Sequence, residues 1–138
     1  MNRAEILASI KALDLPKDSY LAFGSVPLAM AGIREAGDID MFVTAELLEQ
    51  KRAEGWQPIH KSDRDIPLGY DCFEIHDNWD FGKGYNPSLA DLQTRAYTIE
   101  GIPFASLADV REWKVVSGRP KDIEDIRLID EYLQQKSH

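Results

Sequence analysis

YLAFGSVPLAMAGIREAGDIDMFV, residues 20 to 43, carries the punctuation that decides the fold. Residues 20–23 are an apolar run that predicts a short buried strand, stopped by Gly24. Residues 26–33 are apolar and Ala-rich. They predict a helix starting at Ser25, with Pro27 tolerated in its first turn, and Gly37 ends the segment. Residues 38–43 alternate, with Ile39, Met41 and Val43 on one face and Asp38, Asp40 and Phe42 on the other. The apolar set belongs against the core, so the two acids point away from it.

Around this stretch lies a chain of 138 residues, 43% of them hydrophobic, which suits one globular domain spanning residues 1–138. With Cys72 as its single cysteine it forms no internal disulfide. No apolar run is long enough to cross a bilayer, and the opening MNRAEILASIKALDLPKD lacks the pattern of a secretory signal, so the expected location is the cytoplasm, with no membrane partner. The formal net charge of −8 repels phosphate backbones and weighs against a sequence-independent nucleic-acid binder. A nucleotide substrate is still allowed, because a divalent cation inverts the local field at a carboxylate cluster.

The remaining segments follow from periodicity and punctuation. Ile6, Leu7, Ile10 and Leu13 lie at helical spacing behind Asn2 as N-cap, and Thr44 caps a helix over residues 45–54 that ends at Gly55. Residues 56–60 read as a strand and 61–67 as a polar loop. Residues 69–76 read as one strand, with Asp71, Phe73 and Ile75 on one side and Cys72, Glu74 and His76 on the other. DNWDFGKGYNP, residues 77–87, is a surface loop. A hairpin is expected from residues 94–99 and 102–104, then a helix from Ser106 to about Val116, and a last helix over 120–133 burying Ile123, Ile126, Ile129 and Leu133. One α+β domain, a mixed β-sheet flanked by helices, is the expectation.

Two acids at i and i+2 on a strand share a face and stand about 7 Å apart at the backbone, within reach of one ion. Unpaired at about 4 Å they repel by ~1 kcal/mol in water and ~4 kcal/mol at a surface-like dielectric. A hard cation, Mg²⁺ or Mn²⁺, offsets that repulsion and keeps coordination sites for phosphate oxygens. A bare pair is otherwise the solvated face of an ordinary strand. Gly24-Ser25, ending a strand and opening a helix, is the form of turn that holds an anion, although Ser25 serves equally as a plain N-cap.

FGS, a helix and then DIDMFV resemble the nucleotidyltransferase superfamily of polymerase-β-like fold. Its small bacterial minimal nucleotidyltransferases and abortive-infection toxin types are especially similar. Arg34 stands a few residues before the acid pair, as an Arg often does there, and GRPKDIEDIRLI, residues 118–129, matches the family's C-terminal helix. The family's first turn Gly is Phe23 in this chain. The resemblance implies a nucleotidyltransferase-like mixed sheet and transfer of a nucleotidyl group from an NTP to a hydroxyl of an acceptor, whether protein, RNA or small molecule. It implies that Asp38 and Asp40 hold the metal bridging the triphosphate, that a third acid joins them at a second ion, and that Gly24 and Ser25 cradle phosphates. Asp71 and Glu74 are the candidates for the third acid. Alternation turns Asp71 toward the core, and FEI fits the family's apolar-acid-apolar form, so Glu74 is the choice.

Lys114, Arg119 and Lys121 form a basic cluster in an acidic chain, suited to phosphate contact. Lys121 is also placed to pair with Asp125 at i, i+4. Arg34 either meets a phosphate or neutralises the acid pair. His60, His76 and His138 show no metal-ligand spacing, and Cys72 has no activating neighbour in sequence. Trp79, Phe81 and Tyr85 either stack on a base or form the underside of a loop. The rival to an enzyme is a catalytically reduced module of the same fold that acts through a protein partner, in a toxin–antitoxin or regulatory pairing, or as a homo-oligomer.

Overall fold

The computed structural model describes residues 1–136, so His138 lies outside the described residues. The elements in chain order are α1 (Arg3–Leu13), β1 (Tyr20–Phe23), α2 (Val26–Met30), β2 (Ile39–Val43), α3 (Ala45–Ala53), β3 (Gln57–Pro58), β4 (Leu68–Tyr70), β5 (Phe73–His76), α4 (Leu89–Arg95), β6 (Tyr97–Ile99), β7 (Ile102–Phe104), α5 (Leu107–Ser117) and α6 (Pro120–Lys136). The strands form one mixed sheet in the order β3-β4-β5-β2-β1-β7-β6. β2 runs antiparallel to β1 and parallel to β5, and β1 runs parallel to β7. The fold is α+β, as the sequence leads one to expect.

Both faces of the sheet are covered, which is why every residue of β1 is buried. On one face α1 and α3 bring Ile6, Ile10 and Leu47 against Ala22, Ile39, Met41 and Ile75. On the other, Leu92 of α4, Val110 and Trp113 of α5 and Ile129 of α6 pack with Leu21, Phe23, Phe42 and Trp79. Phe42, expected on the outward face with the acids, is therefore buried. Asp40, the acid within β2, is half-buried, while Asp38, just before the strand, is exposed.

Local chemistry explains most boundaries. Asn2 and Glu5 close a full capping box on α1, and the Thr44 hydroxyl accepts from the Leu47 amide at 3.2 Å. Three expectations need correction. Residues 69–76 are not one strand: Asp71 takes a left-handed conformation (φ 52°), which a short polar side chain tolerates, and the chain folds back as the β4–β5 hairpin. Only Gln57–Pro58 of the 56–60 run is strand, with Trp56 buried in the first core. Residues 89–95 form a helix that capping would have shown, for the Ser88 hydroxyl accepts from the Asp91 amide at 3.0 Å, and the hairpin that follows starts at Tyr97 rather than at Thr94.

The last helix also departs from its apolar reading. Ile129 is buried, but Ile123 and Leu133 are exposed, and the positions turned inward are Asp122 and Asp125. Their burial has its reason in the site.

Candidate functional site

Where β1, β2 and β5 end beneath α5 and α6, the sheet opens into a cavity of about 310 Å³. One wall is acidic. In the β2–β5 register Asp40 is the Cα partner of Glu74, and across β1 it is the partner of Phe23. Burial first, and then the Glu74 charge, raise the Asp40 carboxyl from 3.8 to about 7. Asp38, one residue before β2, lines the exposed mouth. Asp71, the other candidate for the third acid, sits in the exposed β4–β5 turn and does not line the cavity.

Gly24 makes the close approach to this wall. Its φ of +63° favours glycine, and a Cβ there would stand 2.7 Å from Asp40 Oδ2. Ser25 occupies the N-cap position of α2 but makes no side-chain capping bond, so its hydroxyl is not spent on the helix.

The polar loop between β3 and β4 adds two residues that the sequence left unassigned. Lys61 Nζ donates to Glu74 Oε2 at 2.5 Å. Asp65 Oδ1 lies 3.1 Å from His76 Nε2, and that hydrogen bond, opposed by burial, holds the Asp65 carboxyl below its ordinary value. His76 follows Glu74 by two on β5, so both face the cavity; alternation put them on one side, but nothing local tied Lys61 or Asp65 to them.

The opposite wall is basic and internally paired. Arg34 donates to both carboxylate oxygens of Asp125, at 2.7 and 2.8 Å, rather than to Asp38 or Asp40. Buried Lys114 reaches Asp125 at 2.9 Å and Asp122 at 3.4 Å. Arg119 clamps Asp122 at 2.6 and 3.0 Å. Burial alone would raise the Asp122 carboxyl; the hydrogen bonds from Arg119 and the Lys114 charge outweigh it and hold the group at about 2. Three cations thus compensate two buried carboxylates, which is what allows α6 to turn acids inward. Lys121 lines the cavity without the expected pair to Asp125, whose partners are Arg34 and Lys114.

Gly24, Ser25, Arg34, Asp38, Asp40, Glu74, Lys114 and Arg119 therefore line one cavity. Tyr85 is buried, as the underside of its loop, while buried Trp79 and half-buried Phe81 both line the cavity beside Trp113. His60 is exposed away from it. The Cys72 thiol is pushed up by burial and by Asp71, so it is no activated nucleophile.

The donor set suits a hard cation, since it is made of carboxylate oxygens. The Lys61 ammonium on Glu74 is a stand-in positive charge at the same wall. Among the described residues no three His, Cys, Asp or Glu side chains converge as a ready metal cluster; Asp40 and Glu74 come together, and Asp38 stands at the mouth.

No family model matches the chain, and no curated protein matches it in sequence. Among solved structures, a "putative nucleotidyltransferase" of Thermotoga maritima is similar over 98% of this chain and 96% of its own, with TM-score 0.60 and 23% identity. ANT(2″)-Ia, solved with adenylyl-2″-tobramycin, is similar over 96% of this chain and 87% of its own, with TM-score 0.53 and 18% identity. The chain has the nucleotidyltransferase-like fold.

Proposed function

We propose that this chain, as one nucleotidyltransferase-like domain over residues 1–138, transfers a nucleotidyl group from an NTP to a hydroxyl of an acceptor. The observation that carries the reading is the shared cavity: residues far apart in sequence, Gly24 to Arg119, bring an acidic wall and a basic wall to the two sides of one opening. In-line phosphoryl chemistry asks for little else, because positioning and neutralisation of charge supply most of the rate.

Asp38, Asp40 and Glu74 would hold Mg²⁺ or Mn²⁺. When bound, such an ion neutralises charge on phosphate oxygens and lowers the pKa of an attacking hydroxyl. Gly24, which lets the backbone pass close to Asp40, and the Ser25 hydroxyl would meet the phosphates. Lys114, Arg119 and Arg34 set the potential of the far wall, with Asp122 and Asp125 holding them in place. The adenylyl-tobramycin held by ANT(2″)-Ia carries a nucleotidyl group on a small molecule, which suits an acceptor of that kind.

A second reading is a catalytically reduced module working through a protein partner. It is favoured by the absence of a ready metal cluster among the described residues and by the pairing of Arg34, Lys114 and Arg119 within the protein. Calorimetry of ATP, CTP, GTP and UTP with Mg²⁺ or Mn²⁺ separates the two. The enzyme reading requires one of these to bind the native chain, and to bind Asp38→Asn/Asp40→Asn at least tenfold more weakly. Failure of every triphosphate to bind in the presence of metal rejects it.

A further inference from the structure

We propose that Lys61 supplies one of the positive charges required by the acidic wall, so that this site takes one divalent ion where two-ion chemistry would place two. The inference rests on the nucleotidyl-transfer reading and concerns a residue to which that reading gives no role.

Lys61 comes from the β3–β4 loop, yet its ammonium reaches the acidic wall. It lies 2.5 Å from Glu74 Oε2, and Glu74 is the Cα partner of Asp40. The Glu74 side chain is 11% exposed and that of Lys61 41%, so the contact is shielded from solvent on the carboxylate side. Asp40 and Asp65 also act on Lys61 at longer range.

Charge and space agree. Asp38, Asp40 and Glu74 carry three negative charges when ionised, and one divalent ion with one ammonium carries three positive ones. Asp65 adds a fourth acid, but its hydrogen bond goes to His76. A second divalent ion would have to take Glu74 oxygens at about 2 Å, and an ammonium already on that carboxylate competes for the same lone pairs. A lysine is a compact, mobile point charge able to serve phosphate oxygens at short range, so the electrostatic duty of the missing ion stays within its chemistry.

The test counts ions rather than turnover. Mn²⁺ bound per chain is measured by electron paramagnetic resonance with saturating α,β-methylene analogues of ATP, CTP, GTP and UTP in turn, on the native chain, Lys61→Met and Lys61→Arg. The Lys61 side chain is 41% exposed, and circular dichroism of each variant checks that the fold survives the loss of the partner to Glu74. One Mn²⁺ per native chain, two per Lys61→Met chain and one per Lys61→Arg chain is the expected result. Two ions in the native chain, or one in Lys61→Met, overturns the proposal while nucleotidyl transfer stands. Zero in every protein overturns both.

Discussion

Asp40 and Glu74 face each other as Cα partners on the parallel strands β2 and β5, and burial with the Glu74 charge lifts the Asp40 carboxyl to about 7. The wall is therefore held together at neutral pH by a proton as well as by Lys61. A carboxyl whose folded value lies above its ordinary one keeps its proton in the fold while the unfolded chain releases it. Stability from this group thus falls as pH rises from about 4 to about 7 and is level beyond. Asp40→Asn removes the titration. In EDTA its melting temperature should exceed that of the native chain at pH 8, with the gap closing toward pH 4. A gap independent of pH would show that Asp40 does not titrate across this window.

Gly24 is where the turn and the acid wall meet. A methyl group at 2.7 Å from Asp40 Oδ2 forces that carboxylate aside, and the left-handed backbone costs a non-glycine residue about 1 kcal/mol. Gly24→Ala should therefore fold, with a melting point a few degrees lower, and lose at least tenfold in affinity for Mn²⁺ and triphosphate by calorimetry. Unchanged affinity would mean that Asp40 is not fixed by its neighbour.

The basic wall makes a different demand. The Asp125 side chain is 4% exposed and compensates both Arg34 and Lys114, so Asp125→Asn leaves a buried ammonium with only the 3.4 Å contact to Asp122. Breaking such a network from one side costs about 3–5 kcal/mol. Urea unfolding should show a loss of that order, and a loss below about 1 kcal/mol would remove the network from the reasons α6 docks. Asp122, held at about 2, keeps its share of this stability down to low pH and loses it as pH falls from about 4 through 2.

How much of this is legible in the sequence depends on the range of each cause. The strand, turn, helix and strand of residues 20–43 are set by local punctuation and appear in that order, although the helix stops at Met30 rather than Ile33. The face of Glu74 is read from alternation alone. Asp71 escapes because a left-handed aspartate leaves no mark in hydrophobic periodicity, so a hairpin reads as one strand. On α6, Ile123 and Leu133 have apolar spacing but no surface to pack on. Asp122 and Asp125 are inside only because Arg34, Lys114 and Arg119 come from elsewhere to compensate them. Lys61 and Asp65 look like any polar loop until the β3–β4 connection carries them to β5.

That same hairpin gives the third acid a decisive test. Glu74 is buried, bonded to Lys61 and aligned with Asp40, while Asp71 is exposed in the turn. If Glu74 contributes charge to the reacting phosphates, Glu74→Gln keeps the shape of the wall but removes the charge, and nucleotidyl transfer should drop by about 10²-fold or more, an electrostatic loss of roughly 3 kcal/mol. Asp71→Asn should stay within about twofold, because the turn needs a residue that accepts the left-handed conformation and asparagine does so as well as aspartate. Measured side by side as kcat/KM for the triphosphate that calorimetry selects, the reverse order would move the acid site from the β5 strand to the β4–β5 turn.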